Sequence, residues 1–368
     1  GNPWRVPVIF NYGIRCRLLS PELNTKGYTF KQDFEDPEVM LAAQLQHLHF
    51  KAFNLWRDEL MGYPDTGWQV WVDFQNTFEA PLFGCPIRYL ADQVPDTIEI
   101  LRENKARLYE MDMPDPLGAP MMQRAIEFYE CFQERCPQME FMGRPVLPPQ
   151  SLPGTSTDGP FTVAFKLRGA TELCLDIYED PEYVHDLLSF ITDATIRCIQ
   201  AVRQYLVARD AVTPDDLAIP RWGFADDAVE MLSPQLYREF VLPYHRQLVD
   251  AFSGGAPVST HLCGNASHIY PVMVEELGVD SIDTGFPIDH GATRQTLGPD
   301  IEILGGPNIM LLKSGPVKAV QEETRRILKS GVMTGRRFIL REGNNVAPGT
   351  PLEHLRAMYE TAKEYGRY

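Results

Sequence analysis

The segment His261-Leu262-Cys263-Gly264-Asn265 holds an imidazole and a thiol two positions apart. Residues 257–262 read as an extended strand, and in a strand a spacing of two puts both side chains on one face. A neutral imidazole and a thiolate are good zinc ligands, and a catalytic zinc site takes three protein ligands plus one exchangeable position. The competing reading is a hydrogen-bonded histidine beside a small buried cysteine.

Other candidates also follow short apolar runs. Asp73 and Glu79 flank Asn76, and Asp226-Asp227 follow the run that ends at Trp222. Carboxylates there could orient a ligating histidine or act as acid and base, or simply cap helices. Tyr12, Phe74, Trp222 and Phe224 fall near strand ends, where they wall a pocket for a flat or methylated ligand or pack into the core. Lys166 and Arg168 alternate on a segment read as a strand from Phe161, as an anion site or as structural ion pairs. Asp283 and Asp289 flank Phe286-Pro287, with Asp289-His290 read as a polar loop.

Something must hold these groups together, and the chain repeats strand, loop and helix from residue 150 onward. Strands are expected at 161–165, 217–219, 257–262, 279–282, 301–304 and 338–340. Helices are expected at 180–208, 233–252, 266–277, stopped by Gly278, at 316–329, and from about Pro351. Earlier, 7–10 and 69–74 read as strands, 36–54 and 121–136 as helices, and 142–158 as a loop or lid. About eight strands, each followed by helical material, predict a (β/α)8 barrel in one domain over 1–368, with reacting groups where strands end. No Gly-x-Gly-x-x-Gly follows an early strand, so a dinucleotide fold has no support.

Composition narrows the partners. A formal charge of −16 over 368 residues repels phosphate backbones and anionic lipid, so nucleic acid and membrane are poor partners. The seven cysteines are odd in number and scattered, as in a reducing compartment. No apolar run reaches the ~20 residues that span a bilayer, and the start Gly1-Asn2-Pro3-Trp4-Arg5 lacks a signal pattern; a cytoplasmic protein is expected. An oligomer is compatible with all of this.

The His261–Asn265 motif stands among others. It is followed by Val272-Met273, Glu276-Leu277-Gly278-Val279-Asp280 and Ile282, and preceded by Leu232-Ser233-Pro234 with Tyr237-Arg238-Glu239-Phe240-Val241-Leu242-Pro243-Tyr244. Phe338-Ile339-Leu340 runs through to Pro348-Gly349-Thr350-Pro351. Together these resemble the uroporphyrinogen decarboxylase superfamily, closely over about residues 160–368 and loosely before. Its decarboxylase branch uses an Arg-Gln-Ala-Gly-Arg type segment after the first strand. This chain has Asn11-Tyr12-Gly13-Ile14-Arg15-Cys16-Arg17, which keeps two cations without the motif, and it lacks that branch's Gly-His-Gly turn.

The cobamide-dependent methyltransferase branch carries His-x-Cys at this strand. That resemblance implies a zinc ion, a small methylated compound or thiol as substrate, and a corrinoid on a partner protein. The third ligand of that branch is a cysteine in a Gly-Cys-Gly turn, where this chain has Gly343-Asn344-Asn345. Either Glu342 or Asn344 then completes an atypical metal site, or the site has lost its metal. The expected catalytic set is Asp73, Asp226, His261 and Cys263, with Tyr12, Arg15, Asn76, Lys166, Trp222 and Asn344 around the substrate. Asp73, Trp222, Asp226, His261, Cys263 and Glu342 are expected to share one pocket. Tetrapyrrole decarboxylation is the alternative activity, and a non-catalytic small-molecule or corrinoid binder is a second alternative.

Overall fold

The computed structural model describes residues 3–59, 61–209 and 221–368, and the chain divides into two compact units. The first comprises Gly1–Trp68, Glu140–Val146 and Ser259–Tyr368; the second comprises Gln69–Met139 and Leu147–Val258.

Four consecutive strands organise the first unit: β1 (Val258–Leu262), β2 (Val279–Thr284), β3 (Glu302–Gly305) and β4 (Phe338–Leu340), hydrogen-bonded in that order. The β2–β3 and β3–β4 pairs are parallel, with Asp283 opposite Leu304 and Leu340 opposite Gly305. Helices Tyr270–Leu277, His290–Leu297 and Val317–Leu328 return the chain between them, and Leu352–Tyr365 follows β4. Parallel strands require such crossovers, which sends the carboxyl ends of β2, β3 and β4 the same way. Val8 forms a parallel bridge to Leu340, so the expected first strand is present only as a short backbone pairing beside β4. The core beneath includes Val8, Phe10, Tyr12, Ile303, Leu312, Phe338, Leu340, Leu355 and Met358.

Punctuation residues set the helix ends. The Asp36 side chain accepts from the Glu38 amide at 2.9 Å ahead of Pro37–Asn54, with proline where no amide partner is needed. Gly278 ends Tyr270–Leu277 at φ 70°, ψ 29°, the left-handed region that glycine enters without steric cost.

The second unit is mainly helical. It carries Pro120–Arg135, Pro160–Arg168, Ala170–Glu179 and Pro181–Ala208, a short strand Trp222–Ala225, and a helical run from Pro234 to Phe252 that widens to a π-turn at Tyr237–Val241. Segment 161–165, expected as a strand, is helical. Gly159 and Pro160 start it, and its first amides find a carboxylate acceptor in Asp226. An apolar run of five residues does not separate a buried strand from a buried helix by periodicity. Of the expected strand 69–74, only Trp68–Gln69 has ladder geometry. The expected loop 142–158 begins instead within a hairpin, Glu140–Phe141 against Arg144–Leu147, turned by Met142 and Gly143 at φ 48° and 72°. The strand expected at 217–219 lies outside the described residues.

Candidate active site

His261 lies on β1 and Cys263 just beyond it, at the carboxyl end of the sheet in the first unit. The imidazole Nε2 is 3.1 Å from Cys263 Sγ, as the shared strand face requires. His261 Nδ1 is 2.7 Å from Asp283 Oδ2, near the end of β2. A carboxylate oxygen accepts, so Nδ1 carries a proton, and in the neutral imidazole Nε2 is left with its lone pair facing the Cys263 sulfur, whose one hydrogen goes to Asn344 Oδ1. Asn344 closes the other side, its Oδ1 accepting from Cys263 Sγ at 3.2 Å and from Asn345 Nδ2 at 3.2 Å.

Arg341, directly after β4, is buried and donates to Asp283 Oδ2, to Glu342 Oε1 at 3.0 Å, and to the Asn344 carbonyl. Tight loop packing makes these contacts available. A Cβ on Gly285 would stand 1.6 Å from the Cys263 carbonyl oxygen, and one on Gly306 would stand 1.9 Å from that of Arg341. Only glycine allows either approach. Asn344 itself sits at φ 109°, unusual for any residue with a side chain.

Glu342 does not take the place expected of it. It is wholly buried, and its Oε1 accepts from the Asn11 amide at 3.1 Å as well as from Arg341. Burial pushes its carboxyl up to about 7, with Arg341 opposing. Among the described residues its oxygens do not join the donor atoms of His261 and Cys263 in a cluster within 4.8 Å. The position after β4 that reaches the thiol is therefore Asn344. The donor set fits zinc in its chemistry: an imidazole nitrogen with its lone pair available, a sulfur beside it and an amide oxygen next to that. A carboxylate behind the histidine is the usual support for a metal-bound imidazole.

Two other first-unit candidates differ in fate. Tyr12 is buried in the core, stacked on His47 at 5.9 Å and against Phe50 at 5.7 Å, so it packs rather than walling a pocket. Arg15 opens the short helix Arg15–Leu18 and is half-buried, while Arg17 donates to Gln46. His290 is buried, and burial pushes its imidazole down to about 4.

The second unit uses most of its candidates in packing. Asp226 is wholly buried and accepts from the Phe161 and Thr162 amides at 3.1 and 2.7 Å, from Thr162 Oγ1 at 2.7 Å, and from His245 Nε2 at 2.8 Å. Both oxygens are engaged at a helix start, the capping alternative to the acid–base role expected of this residue. Trp222 is buried against Phe224 at 5.5 Å and Phe252 at 5.8 Å, a core position rather than a pocket wall. Asp73 accepts from the amide and side chain of Gln75 at 2.7 and 2.6 Å. Lys166 pairs with Asp158 at 2.9 Å and donates to the carbonyl of exposed Asn76; Arg168 pairs with Asp176 at 2.7 Å. Both lie in the helix Pro160–Arg168, so they do not alternate along a strand.

Asp283 and Arg341 are the members of the site that sequence reasoning left unassigned. A usable signal existed for each: Asp283 falls on the strand-end alternation Ser281-Ile282-Asp283, and Arg341-Glu342 puts adjacent charges directly after an apolar strand.

The uroporphyrinogen decarboxylase (URO-D) family model matches residues 2–365. The chain belongs to the uroporphyrinogen decarboxylase family. A methylated-thiol–coenzyme M methyltransferase of Methanosarcina mazei is 31% identical over 208 residues, 56% of this chain and 51% of that protein. A uroporphyrinogen decarboxylase of Crocosphaera subtropica is 29% identical over 193 residues, 51% of this chain and 49% of that one. The chain thus spans about half the length of these first curated relatives. The methylcobamide:CoM methyltransferase MtbA of Methanosarcina acetivorans is 25% identical over 303 residues, 80% of this chain and 79% of that protein. A solved methyltransferase from Methanosarcina mazei covers 98% of this chain and 94% of its own, with TM-score 0.66 and 17% identity. The family match and this structural likeness give the chain the URO-D-type (β/α)8 barrel fold. The matched family members are methyltransferases and decarboxylases, and both kinds are enzymes. Among the described residues no helix is long and apolar enough to cross a membrane.

Proposed function

We propose that this member of the family is a methyltransferase-like enzyme, acting on a small methylated compound or thiol together with a corrinoid-carrying partner protein. His261 and Cys263 would hold a zinc ion, with Asn344 as the adjacent oxygen contact. The carrying observation is the 3.1 Å approach of His261 Nε2 to Cys263 Sγ, with Nδ1 fixed on Asp283 at 2.7 Å. The methyltransferases among the relatives support the same reading.

A bound zinc ion would supply Lewis acidity and stabilise a substrate anion. The protein residues supply the rest. Asp283 keeps the proton of His261 on Nδ1, so that Nε2 is always a donor of electrons to the site. Asn344 adds a neutral oxygen where the methyltransferase branch has a second thiolate. One thiolate fewer leaves a harder site, better suited to polarising an oxygen- or nitrogen-bound methyl donor than to activating a thiol. The single-domain organisation over 1–368, with an irregular loop or lid at about 142–158 that begins within the hairpin, and a cytoplasmic location belong to the same proposal.

The test is turnover. The zinc-loaded protein should move a methyl group between methylcobalamin and small thiol, amine or methoxy compounds, followed by the corrinoid spectrum. Loss of carboxylates from uroporphyrinogen by the chelated protein, with no methyl transfer, would favour the decarboxylase reading instead.

A further inference from the structure

We infer that Arg341 is a positioning residue of this site: its guanidinium holds Asp283 in place and thereby determines which nitrogen of His261 carries the proton. The inference deepens the metal-site reading, on which its functional consequence rests, while its structural content stands independently.

Arg341 follows β4, Asp283 lies on β2 and His261 on β1, so the three come from separate strands of one sheet. One terminal nitrogen of Arg341 donates to Asp283 Oδ2, the same oxygen that His261 Nδ1 meets at 2.7 Å. Its other terminal nitrogen donates to Glu342 Oε1 at 3.0 Å and to the Asn344 carbonyl, which ties the turn carrying Asn344 to the same cation. Without that cation, Asp283 and Glu342 would each lose an ion-pair partner, Glu342 in a wholly buried position. The planar fork of arginine reaches acceptors on two loops at once, whereas lysine offers a point charge on a flexible stem.

A purely structural ion pair would also be buried, so stability alone does not separate the two roles. The tautomer of His261 does. With Asp283 held, Nδ1 is protonated and Nε2 bears the lone pair; with Asp283 released, the imidazole drifts toward the Nε2–H form that isolated histidine prefers. That form presents a hydrogen to a metal instead of a lone pair.

The experiment is nitrogen-15 NMR of the full-length chain labelled at histidine, with the His261 signals assigned by their loss in His261→Gln, alongside zinc titration with the metal alone. Wild type, Arg341→Met, Arg341→Lys and Asp283→Asn are compared. Wild type should show the Nδ1–H form, and Arg341→Met and Asp283→Asn should both show a substantial Nε2–H population. Zinc affinity should fall by about 10- to 100-fold in each, the usual effect of removing an outer partner of a metal-ligating histidine. Arg341→Lys should fall between. If Arg341→Met does not fold, the Arg341→Lys and Asp283→Asn tautomers carry the test. An unchanged tautomer in the folded Arg341 variants overturns the inference even where wild type binds zinc. A changed tautomer in a protein that takes up no zinc sustains the inference and overturns the metal reading.

Discussion

Asp283 Oδ2 stands 2.7 Å from His261 Nδ1 and also accepts from Arg341, so one carboxylate oxygen serves both an imidazole and a guanidinium. Position on the sheet explains how. Asp283 falls opposite Leu304 in the β2–β3 register, one strand from β1 and two from β4, and the side chains of all three strand ends can converge there.

The first prediction concerns Cys263 and Asn344. Asn344→Cys should add a thiolate to the site and tighten zinc binding by at least tenfold, since thiolate is the softer and stronger ligand. Competition with a chromophoric chelator measures it; unchanged or weaker binding would place Asn344 outside the metal's reach.

Asp226 gives a prediction of opposite character. Asp226→Ala removes the acceptor for the first amides of Pro160–Arg168 and leaves His245 without its carboxylate, so it should cost about 2–4 kcal/mol of stability. Chemical denaturation checks this, and a loss below about 1 kcal/mol would contradict the capping role.

Gly159 precedes the same helix at φ 79°, and a Cβ there would stand 2.6 Å from Asp226 Oδ2. Gly159→Ala should therefore destabilise by more than the ~1 kcal/mol typical of strain at a left-handed position, because backbone strain and displacement of the cap combine. A thermal melt indistinguishable from wild type would contradict this.

Acid stability follows from two buried histidines. Burial pushes His47 down to about 3 and His290 down to about 4, from an ordinary value of 6.5. Each folded-state value is depressed, so the unfolded chain binds the extra proton first, and stability present above pH 6.5 is lost as pH falls toward 4. Each histidine should contribute about 1.4 kcal/mol of loss per pH unit in that window. His290→Gln should flatten the dependence of unfolding free energy on pH between 6.5 and 4; an unchanged slope would show that His290 is charged or solvated in the fold.

Much of this was legible in the sequence because the decisive features are local. Asp36-Pro37, Asp180-Pro181 and Gly278 mark helix ends by backbone chemistry, and 338–340 is bounded as expected. His261 and Cys263 were legible because a spacing of two fixes their common face. For Asp226 capping was one open reading, but the helix it caps was not legible, since its partners Phe161, Thr162 and His245 lie 65, 64 and 19 positions away. The helix at 160–168 was hidden for the same reason: a distant carboxylate supplies the cap that the sequence just before it lacks. Arg341 connects residues 58 and 3 positions apart through one side chain, a relation only the strand register reveals.

The most direct test of the account is the zinc content of the full-length protein, measured by elemental analysis after purification without chelator and again after zinc titration, in wild type and in Cys263→Ser. The account predicts about one zinc per chain in the wild type at saturation and loss of most of it in Cys263→Ser. Wild-type protein that carries no metal, takes up none on titration, and is unaltered in activity and stability by Cys263→Ser would contradict it, leaving Cys263 a packed thiol beside a hydrogen-bonded histidine.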